Sequence, residues 1–463
     1  MVKYSKILAE PLRLDAEYYS KSNLILENLI TDKKGRTVED YKGIVDCSAF
    51  YPSITRYYSK DKSLVPFLRV NEICNGLVVL TENTVFLPHK ILDDNPSTIS
   101  VAYPGDIIIA KGGNTLAKVG LVTDEYTVYA TCRDVIILRT NKLERINKYY
   151  LWSFLHSKYG QELMWRAASQ TGQPHITLPI IANMHIPEYS MVIQEEVEKL
   201  YISSTKKKRL AEEKYKEAEV LLLSALGLDV WKPKSEKISI RSYGEITDVE
   251  RFDAEYFQPK YDELFKRLSL FECCTLSEIV NISKSIEPGS EAYQKTGIPF
   301  YRVADLSKEG LKEPNIFLDE NKYYREDLSL KKDMILFSKD GSIGIAYKVD
   351  ENIKAISSGA LLHLMVKTRD VLPDYLTLVL NSIVVALQAE RDAGGSIIQH
   401  WRTEEIEKVT IPVLNMDMQE RIKKIVRDSF ILRGESKQLL NQAQIVVETA
   451  INKGEEKALQ LLN

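Results

Sequence analysis

The feature of this sequence that most limits its fold is an internal repeat. The heptapeptide Arg-Leu-Asp-Ala-Glu-Tyr-Tyr at residues 13–19 recurs as Arg-Phe-Asp-Ala-Glu-Tyr-Phe at residues 251–257. Further matches follow in the same order: Pro-Phe-Leu-Arg-Val at 66–70 with Pro-Phe-Tyr-Arg-Val at 299–303, Ile-Pro at 186–187 and 411–412, and Gln-Glu at 194–195 and 419–420. The separation between matching residues is 238 at Arg13 and Arg251, and 225 from Tyr150 and Tyr375 onward. The chain is therefore two tandem copies, each a variable part followed by a part of fixed length.

The part of fixed length is predicted to be helical. Its apolar and small residues step alternately by three and four positions, which is typical of the contact face of a coiled coil. In the second copy these residues are Ile422, Ile425, Ser429, Leu432, Ser436, Leu439, Ala443, Val446 and Ala450, and in the first copy Val197, Leu200, Ser204, Lys207, Ala211, Lys214, Ala218, Leu221 and Ala225. A helix over about 190–226 is roughly 55 Å long. We expect two such helices to pack antiparallel as a coiled coil with pseudo-twofold symmetry.

The predicted fold class is α+β, with two tandem α/β domains that are each followed by a long α-helix. Apolar runs predict buried strands at 106–110, 134–138 and 334–337, and helices are predicted at 18–30, 149–156, 261–268 and 375–388. The predicted domains are a first globular domain at 1–187, a long helix at 188–232, a second globular domain at 233–411 and a C-terminal long helix at 412–463.

Composition excludes several classes of protein. The 463 residues carry 62 Lys and Arg against 65 Asp and Glu, a net charge of −3, which argues against a protein that is basic over its whole surface. The five cysteines show no Cys-x-x-Cys spacing, so the sequence supports neither a disulfide framework nor a zinc site, and a reducing cytoplasm fits best. Since no apolar run approaches the roughly 18 residues of a membrane span, we expect no membrane partner.

Catalytic motifs are absent from the sequence. There is no Pro-Pro dipeptide for an amino-methyltransferase motif, no Gly-x-x-x-x-Gly-Lys-Ser/Thr phosphate loop and no Gly-x-Ser-x-Gly nucleophile elbow. The nearest approach to a phosphate loop is Lys-Gly-Gly-Asn-Thr at 111–115, which we interpret as a turn after a strand. Its counterpart in the second copy is Lys-Asp-Gly-Ser at 339–342. We therefore expect no catalytic residue, cofactor site or metal site in this chain.

Each copy opens with Arg-x-Asp-Ala-Glu-Tyr and continues with Gln-Pro-His-Ile at 173–176 or Gln-His at 399–400, then Ile-Pro, Gln-Glu and a long helix. In this order and duplication, essentially the whole chain resembles the DNA specificity subunit of a type I restriction-modification system. It departs from the family where Glu-Tyr-Ser-Met at 188–191 replaces a proline-rich lead into the helix.

The resemblance implies that each globular domain is a target recognition domain that reads one half of a bipartite site in double-stranded DNA. The two helices would set the spacing between the half-sites and dock two methyltransferase subunits, with motor/nuclease subunits joining for restriction. S-adenosylmethionine, ATP and Mg would then belong to the partner subunits, and this chain would not be an enzyme. The alternatives are a coiled-coil scaffold without DNA specificity and an enzyme whose active site lacks the motifs above.

Which residues contact DNA is predicted from the chemistry of base edges and phosphates, which favours Arg, Lys, Asn, Gln, Ser and Thr on loops beside strands. In the first domain the candidates are Lys111, Asn114, Thr115, Lys118, Ser169, Gln170, Thr171, Gln173 and His175. In the second domain they are Lys339, Ser342, Ser358, Arg391, Ser396, Gln399, His400 and Trp401.

Other charged residues have competing interpretations. Arg13, Asp15, Arg251 and Asp253 are identical in domains that should read different bases, which favours structural ion pairs. Arg69 and Arg302 are either phosphate contacts or strand-end scaffold, and His175 and His400 could instead be satisfied core histidines. The basic run at 206–209 is interpreted first as a solvated helix face, and the alternative interpretation is a contact with DNA.

Overall fold

The computed structural model describes residues 16–32, 35–51, 53–81, 83–168, 174–236, 238–249, 251–394 and 399–462. The chain divides into unit 1, which is Met1–Lys206 with Glu435–Asn463, and unit 2, which is Lys207–Gly434. Each unit contains one globular part and a portion of both long helices, whereas the predicted domain boundaries separate the helices from the globular parts.

The described strands of unit 1 form a six-stranded sheet, a four-stranded sheet and a two-stranded pair made by its first and last strands. Its strands are β1 (Arg36–Thr37), β2 (Ile44–Asp46), β3 (Val65–Leu68), β4 (Ile73–Cys74), β5 (Gly76–Val78), β6 (Val85–Leu87), β7 (Val101–Ala102), β8 (Ile107–Ala110), β9 (Val119–Leu121), β10 (Tyr129–Thr131), β11 (Val135–Arg139) and β12 (His185–Ile186). Its own helices are α1 (Lys21–Thr31), α2 (His89–Asp93), α3 (Lys148–His156), α4 (Lys158–Ala167) and α5 (Leu178–Ala182). The larger sheet has the order β2-β11-β8-β9-β5-β4, and the smaller has the order β6-β3-β10-β7.

Strand β8 shows why the sequence here is continuously apolar. Successive side chains of a strand point to opposite faces of the sheet. Ile107 and Ile109 lie in the core shared with the helices, whereas Ile108 and Ala110 lie in a second core with Phe67. Because the larger sheet is covered on both faces, no polar residue interrupts this strand.

Unit 2 has a similar arrangement. Its strands are β13 (Cys273–Thr275), β14 (Val280–Lys284), β15 (Ile298–Tyr301), β16 (Leu306–Ser307), β17 (Gly310–Leu311), β18 (Phe317–Leu318), β19 (Ile335–Ser338), β20 (Ala346–Lys348), β21 (Ile356–Ser357), β22 (Leu361–Val366) and β23 (Thr410–Pro412). The two long helices are α6 (Met191–Ala225) and α14 (Met416–Lys453), and α15 (Glu455–Gln460) ends the chain in unit 1. The helices of unit 2 are α7 (Tyr243–Val249), α8 (Pro259–Leu268), α9 (Leu276–Ile279), α10 (Glu320–Tyr323), α11 (Pro373–Leu380), α12 (Ile383–Asp392) and α13 (Thr403–Ile406). Its sheets include β14-β22-β19-β20 and β18-β15-β21.

The repeat is visible in strand register. In unit 1, β3 and β10 are parallel with Phe67 opposite Ala130, and in unit 2, β15 and β21 are parallel with Phe300 opposite Ile356. The two globular parts therefore share a core topology, and the α+β fold class is confirmed. Within the described residues, no helix combines the length and the apolar character that crossing a membrane requires.

The repeated motifs fasten each long helix to its globular part. The Tyr150 hydroxyl donates to the Pro187 carbonyl at 2.7 Å, and the Tyr375 hydroxyl donates to the Pro412 carbonyl at 2.6 Å. The fully buried Gln194 amide accepts from the Asn147 N–H at 2.7 Å and donates to the Tyr189 carbonyl at 2.9 Å.

Gln419 makes the equivalent bonds in unit 2, with the Leu372 N–H and the Leu414 carbonyl. The Ile-Pro and Gln-Glu repeats thus have a structural role in both units.

The opening motif is also structural where it is described. Arg251 pairs with Asp253 at 2.7 Å and lies over the Tyr256 ring, as predicted for an ion pair. Arg13 and Asp15 lie outside the described residues.

Arg69 and Arg302 are tied to buried carboxylates. Arg69 donates from its backbone N–H to Glu72, and Arg302 donates in the same way to Asp305, both at 2.9 Å. Their guanidinium groups lie beside the same carboxylates. These contacts favour the scaffold interpretation of both arginines.

The long helices contact each other within each unit. In unit 1 the Ser204 hydroxyl lies 2.9 Å from the Ser436 carbonyl and hydroxyl oxygens. In unit 2 the Ser429 hydroxyl donates to the Ala211 carbonyl at 2.7 Å. Small residues at these positions let the two backbones approach closely.

In α6, alternate positions of the predicted contact face lie one residue away from the fully buried positions. Val197, Ser204, Ala211 and Ala218 are buried as predicted, but the intervening buried positions are Tyr201, Tyr215 and Leu222. The predicted residues there were Leu200, Lys214 and Leu221, which are half-buried, and the predicted Lys207 is half-buried as well. Tyr201 stacks on the Tyr149 ring, with centroids 4.5 Å apart, so the helix turns this position toward its globular part.

Candidate nucleic-acid interface

Three segments of unit 1 meet beside the end of β8. The Lys111 N–H donates to the Asp134 carbonyl at 2.9 Å, and the Ile176 N–H donates to the Lys111 carbonyl at 2.8 Å. Gly112 and His175 form a β-bridge between the turn and the histidine segment. We name residues 111–118, 132–134 and 174–176 the first turn–histidine site.

The same backbone hydrogen bonds occur in unit 2. The Lys339 N–H donates to the Ala360 carbonyl at 3.0 Å, and the Trp401 N–H donates to the Lys339 carbonyl at 2.8 Å. Asp340 and His400 form the bridge here. Residues 339–345, 358–360 and 399–401 are the second turn–histidine site. The sequence identified the turn and the histidine segment separately in each copy, and the structure brings them together in both.

A glycine shapes each turn. Gly113 has φ +67° and Gly341 has φ +72°, a left-handed conformation that other residues adopt at a cost. A Cβ at either position would meet no atom within 4 Å. Space is thus open around both turns, and backbone groups can be approached closely.

The first site presents several of the predicted side chains to solvent. Asn114, Lys118 and His175 are exposed, and Lys111 is half-buried. The Thr115 hydroxyl donates to the Gly112 carbonyl at 3.1 Å and so stabilises the turn itself. The predicted contacts Ser169, Gln170, Thr171 and Gln173 lie outside the described residues.

The second site carries a charged cluster. The His400 side chain is 63% exposed, and its Nδ1 lies 2.8 Å from Asp340 Oδ1. The other oxygen of Asp340 pairs with Lys339 Nζ. Ser342 and Gln399 are exposed beside this cluster, and Ser396 lies outside the described residues. His175 and His400 are therefore surface residues and not core histidines.

Three predicted DNA contacts have side chains that are buried or engaged by other residues of unit 2. Trp401 is 1% exposed and packs on the Phe337 ring, and Ser358 is 6% exposed. Arg391 pairs with Asp392 at 2.7 Å and lies over the Phe265 and Tyr256 rings. Burial and packing occupy these side chains, so they belong to the framework. Arg166, the counterpart of Arg391, likewise lies over the ring of Tyr18.

Two exposed residues beside the first site were missed. Phe50 is 77% exposed, and the Arg133 guanidinium lies 6.0 Å from its ring centroid. The signal available in the sequence was an aromatic-rich segment, Phe-Tyr-Pro-Ser-Ile-Thr-Arg-Tyr-Tyr at 50–58, that contains an arginine. Aromatic and basic residues interleaved on a loop are typical of nucleic-acid contacts.

The two sites differ in charge although their backbones are alike. The first combines Lys111, Lys118 and Arg133 with Asp134, and the second combines Lys339 with Asp340. Within the described residues, no group of three or more His, Cys, Asp or Glu could hold a metal ion. The exposed groups are hydrogen-bond donors and acceptors, a set that suits binding to base edges and phosphates.

Residues 269–443 match the family model described as "Type I restriction modification DNA specificity domain". The match covers less than half of the chain and includes the whole second turn–histidine site. The first copy resembles the matched residues through the repeat, the shared strand register and the equivalent hydrogen bonds of the first site.

The solved structures that match the chain include two specificity subunits. One is the S subunit of a type I restriction-modification system from M. genitalium, at 15% identity and a TM-score of 0.36, covering 90% of this chain and 95% of that chain. Another is the HsdS subunit from Thermoanaerobacter tengcongensis, at 17% identity and a TM-score of 0.28, covering 84% of this chain and 90% of that chain. No curated protein matches the chain.

Proposed function

We propose that this chain is the non-catalytic DNA specificity subunit of a type I restriction-modification complex. Each turn–histidine site contacts one half of a bipartite site in double-stranded DNA. The observation that carries the proposal is the pair of sites: the same backbone hydrogen bonds hold both, while the side chains they present differ. A duplicated framework with different exposed side chains is what two different half-sites require.

The chemistry of the side chains in each site indicates which would contact base edges and which would contact phosphates. Asn114 in unit 1 and Ser342 and Gln399 in unit 2 can donate to and accept from base edges. Lys111, Lys118 and Lys339 can neutralise phosphates, which fixes position on the duplex without reading sequence. His175 and His400 are exposed enough to take either role.

We further propose that α6 and α14 pair as an antiparallel coiled coil with pseudo-twofold symmetry. Support comes from the helix contacts within each unit. Under the separation of 225, Ser204 corresponds to Ser429 and Ala211 to Ser436, so exchange of the two copies converts the contact in unit 1 into the contact in unit 2.

The paired helices would set the spacing between half-sites and dock two methyltransferase subunits. Val220, Ile431 and Ile445 are exposed apolar residues on these helices and are available for such docking. Motor/nuclease subunits would join the same assembly in the cytoplasm. S-adenosylmethionine, ATP and Mg would act in the partner subunits.

The test is selection of DNA by the chain in complex with its methyltransferase partner, from a pool of random-sequence duplexes. We expect a bipartite site with a fixed spacer. Asn114→Ala should relax base preference in one half only, and Gln399→Ala in the other half only, so each variant is the control for the other. A complex that selects no sequence would favour the scaffold without DNA specificity and refute the proposal.

A further inference from the structure

Phe50 lies on the loop after β2 and is 77% exposed. A large apolar side chain left exposed loses the free energy that its burial would provide. Its neighbours Tyr51, Tyr57 and Tyr58, by contrast, pack against the core of the smaller sheet. The position of the Phe50 ring therefore suggests a contact that forms only on binding.

The ring is placed at the first turn–histidine site through Arg133. The Arg133 guanidinium lies 6.0 Å from the Phe50 ring centroid. The next residue, Asp134, accepts the hydrogen bond from Lys111 at 2.9 Å that holds the turn. An exposed aromatic ring and a cation thus stand beside the residues proposed to contact DNA.

Strand register identifies the equivalent positions in unit 2. Asp46 is opposite Ile137 in unit 1, and Ser283 is opposite His363 in unit 2. Counting four residues forward from Asp46 and Ser283, Phe50 corresponds to Glu287. Counting four residues back on the partner strands, Arg133 corresponds to Gly359.

The two equivalent positions in unit 2, Glu287 and Gly359, are also close in space. A Cβ on Gly359 would lie 2.8 Å from Glu287 Oε1, so these two positions also touch in unit 2. One location therefore carries a phenyl ring with a guanidinium in unit 1 and a carboxylate over a glycine in unit 2. At this location the two units differ in chemistry although their backbones correspond.

We propose that Phe50 contacts the C5-methyl group of a thymine in the half-site bound by unit 1, with Arg133 beside it on a phosphate. This inference rests on the function proposed above. In the major groove the thymine methyl is the apolar feature of a base edge, and every other distinguishing feature is a hydrogen-bond donor or acceptor. A phenyl ring can form no such hydrogen bond, whereas a guanidinium suits a phosphate oxygen.

The test uses the full chain in complex with its methyltransferase partner. The probe is the duplex that the wild-type complex selects from the random pool, together with versions in which each thymine is replaced in turn by deoxyuridine, which lacks the methyl group. We expect one replacement to weaken wild-type binding about fourfold, the effect of one buried methyl group. The same replacement should leave binding by Phe50→Ala unchanged, because the contact is already lost.

Glu287→Ala is the matched control, and it should keep the wild-type response to that deoxyuridine. Phe50→Ala that still responds to every replacement as the wild type does would overturn the inference, and so would a half-site without thymine. A Phe50→Ala effect that is equal on thymine and deoxyuridine duplexes would indicate a wedge between bases and would likewise overturn it. In each of these cases a wild-type complex that selects a bipartite site still supports the proposed function.

Discussion

His363 in unit 2 shows how a single residue can couple this fold to pH. It is 2% exposed, and its Nε2 lies 2.7 Å from the Ser357 hydroxyl. Burial lowers the pKa of His363 from its ordinary 6.5 to about 4, because desolvation disfavours the charged imidazolium.

Stability should therefore depend on pH through this residue. The unfolded chain takes up a proton on His363 below pH 6.5 and the folded chain does not, so stability is complete above pH 6.5 and is lost as pH falls toward 4. The largest loss from this group is about 3 kcal/mol.

His363→Gln keeps a hydrogen-bonding side chain but cannot titrate. Urea unfolding at pH 7.5 and pH 4.5 should show a smaller loss of stability for His363→Gln than for the wild type. Identical losses in the two proteins would contradict the assignment.

For single residues, the sequence showed which side chains have the right chemistry for DNA contact, but it did not show which of them are exposed. Asn114, Lys118, Gln399 and His400 were chosen by residue type and loop position, and they are at the surface. Ser358 and Trp401 were chosen on the same grounds and are buried. Exposure of a loop residue depends on which distant strands cover it, and local sequence does not contain that information.

At the scale of elements, the two long helices pack closely where small residues meet. Ser204 is buried where α6 meets α14 in unit 1, and its neighbour Ser203 is exposed. A larger side chain at a tightly packed helix contact forces the backbones apart.

Ser204→Leu should therefore destabilise the protein by about 1–3 kcal/mol, from overpacking and from loss of the hydrogen bonds to Ser436. Ser203→Leu adds the same side chain one residue away and should change stability by no more than about 0.5 kcal/mol. Urea denaturation of both variants measures the difference. Equal effects would show that the serine contact does not hold the helices together.

The helices themselves could be predicted because their periodicity extends over more than thirty residues. Their contact face could be predicted only in part. A spacing of three and a spacing of four both keep a residue on nearly the same side of a helix, so Leu200 and Tyr201 are equally compatible with the pattern. The ring of Tyr149 decides between them, and it belongs to a different element.

At the scale of the whole molecule, the repeat allows both long helices to be shortened by the same length at matching positions. Deleting residues 205–211 and 430–436 together removes one heptad from each helix and brings Ser204 opposite Ser429. Seven residues correspond to roughly 10 Å of helix, or about three base pairs of DNA.

The doubly shortened chain should select the same two half-sites with a spacer about three base pairs shorter, measured by selection from random duplexes. Deletion of residues 205–211 alone is the control. This single deletion shifts the residues of one helix relative to those of the other, so the buried residues no longer face each other and stability should fall. An unchanged spacer in the double deletion would refute the role of the helices in setting it.

The α+β fold class and the equivalence of the two copies were accessible from the sequence because duplication provides an internal comparison. The paired Gln194 and Gln419 point to a common framework before any strand is assigned. The sites were less accessible, since Phe50 and Glu287 become equivalent only when strand register is known.

The hydrogen bonds that hold each site together run between backbone atoms: Ile176 to Lys111 in one unit, and Trp401 to Lys339 in the other. A backbone donor or acceptor is the same for every residue except proline, which lacks the donor. Side chains exposed on the turns can consequently be replaced without removing a bond that the fold needs. Under the proposed function, mutations in the exposed side chains of either copy would change its DNA preference at little cost in stability.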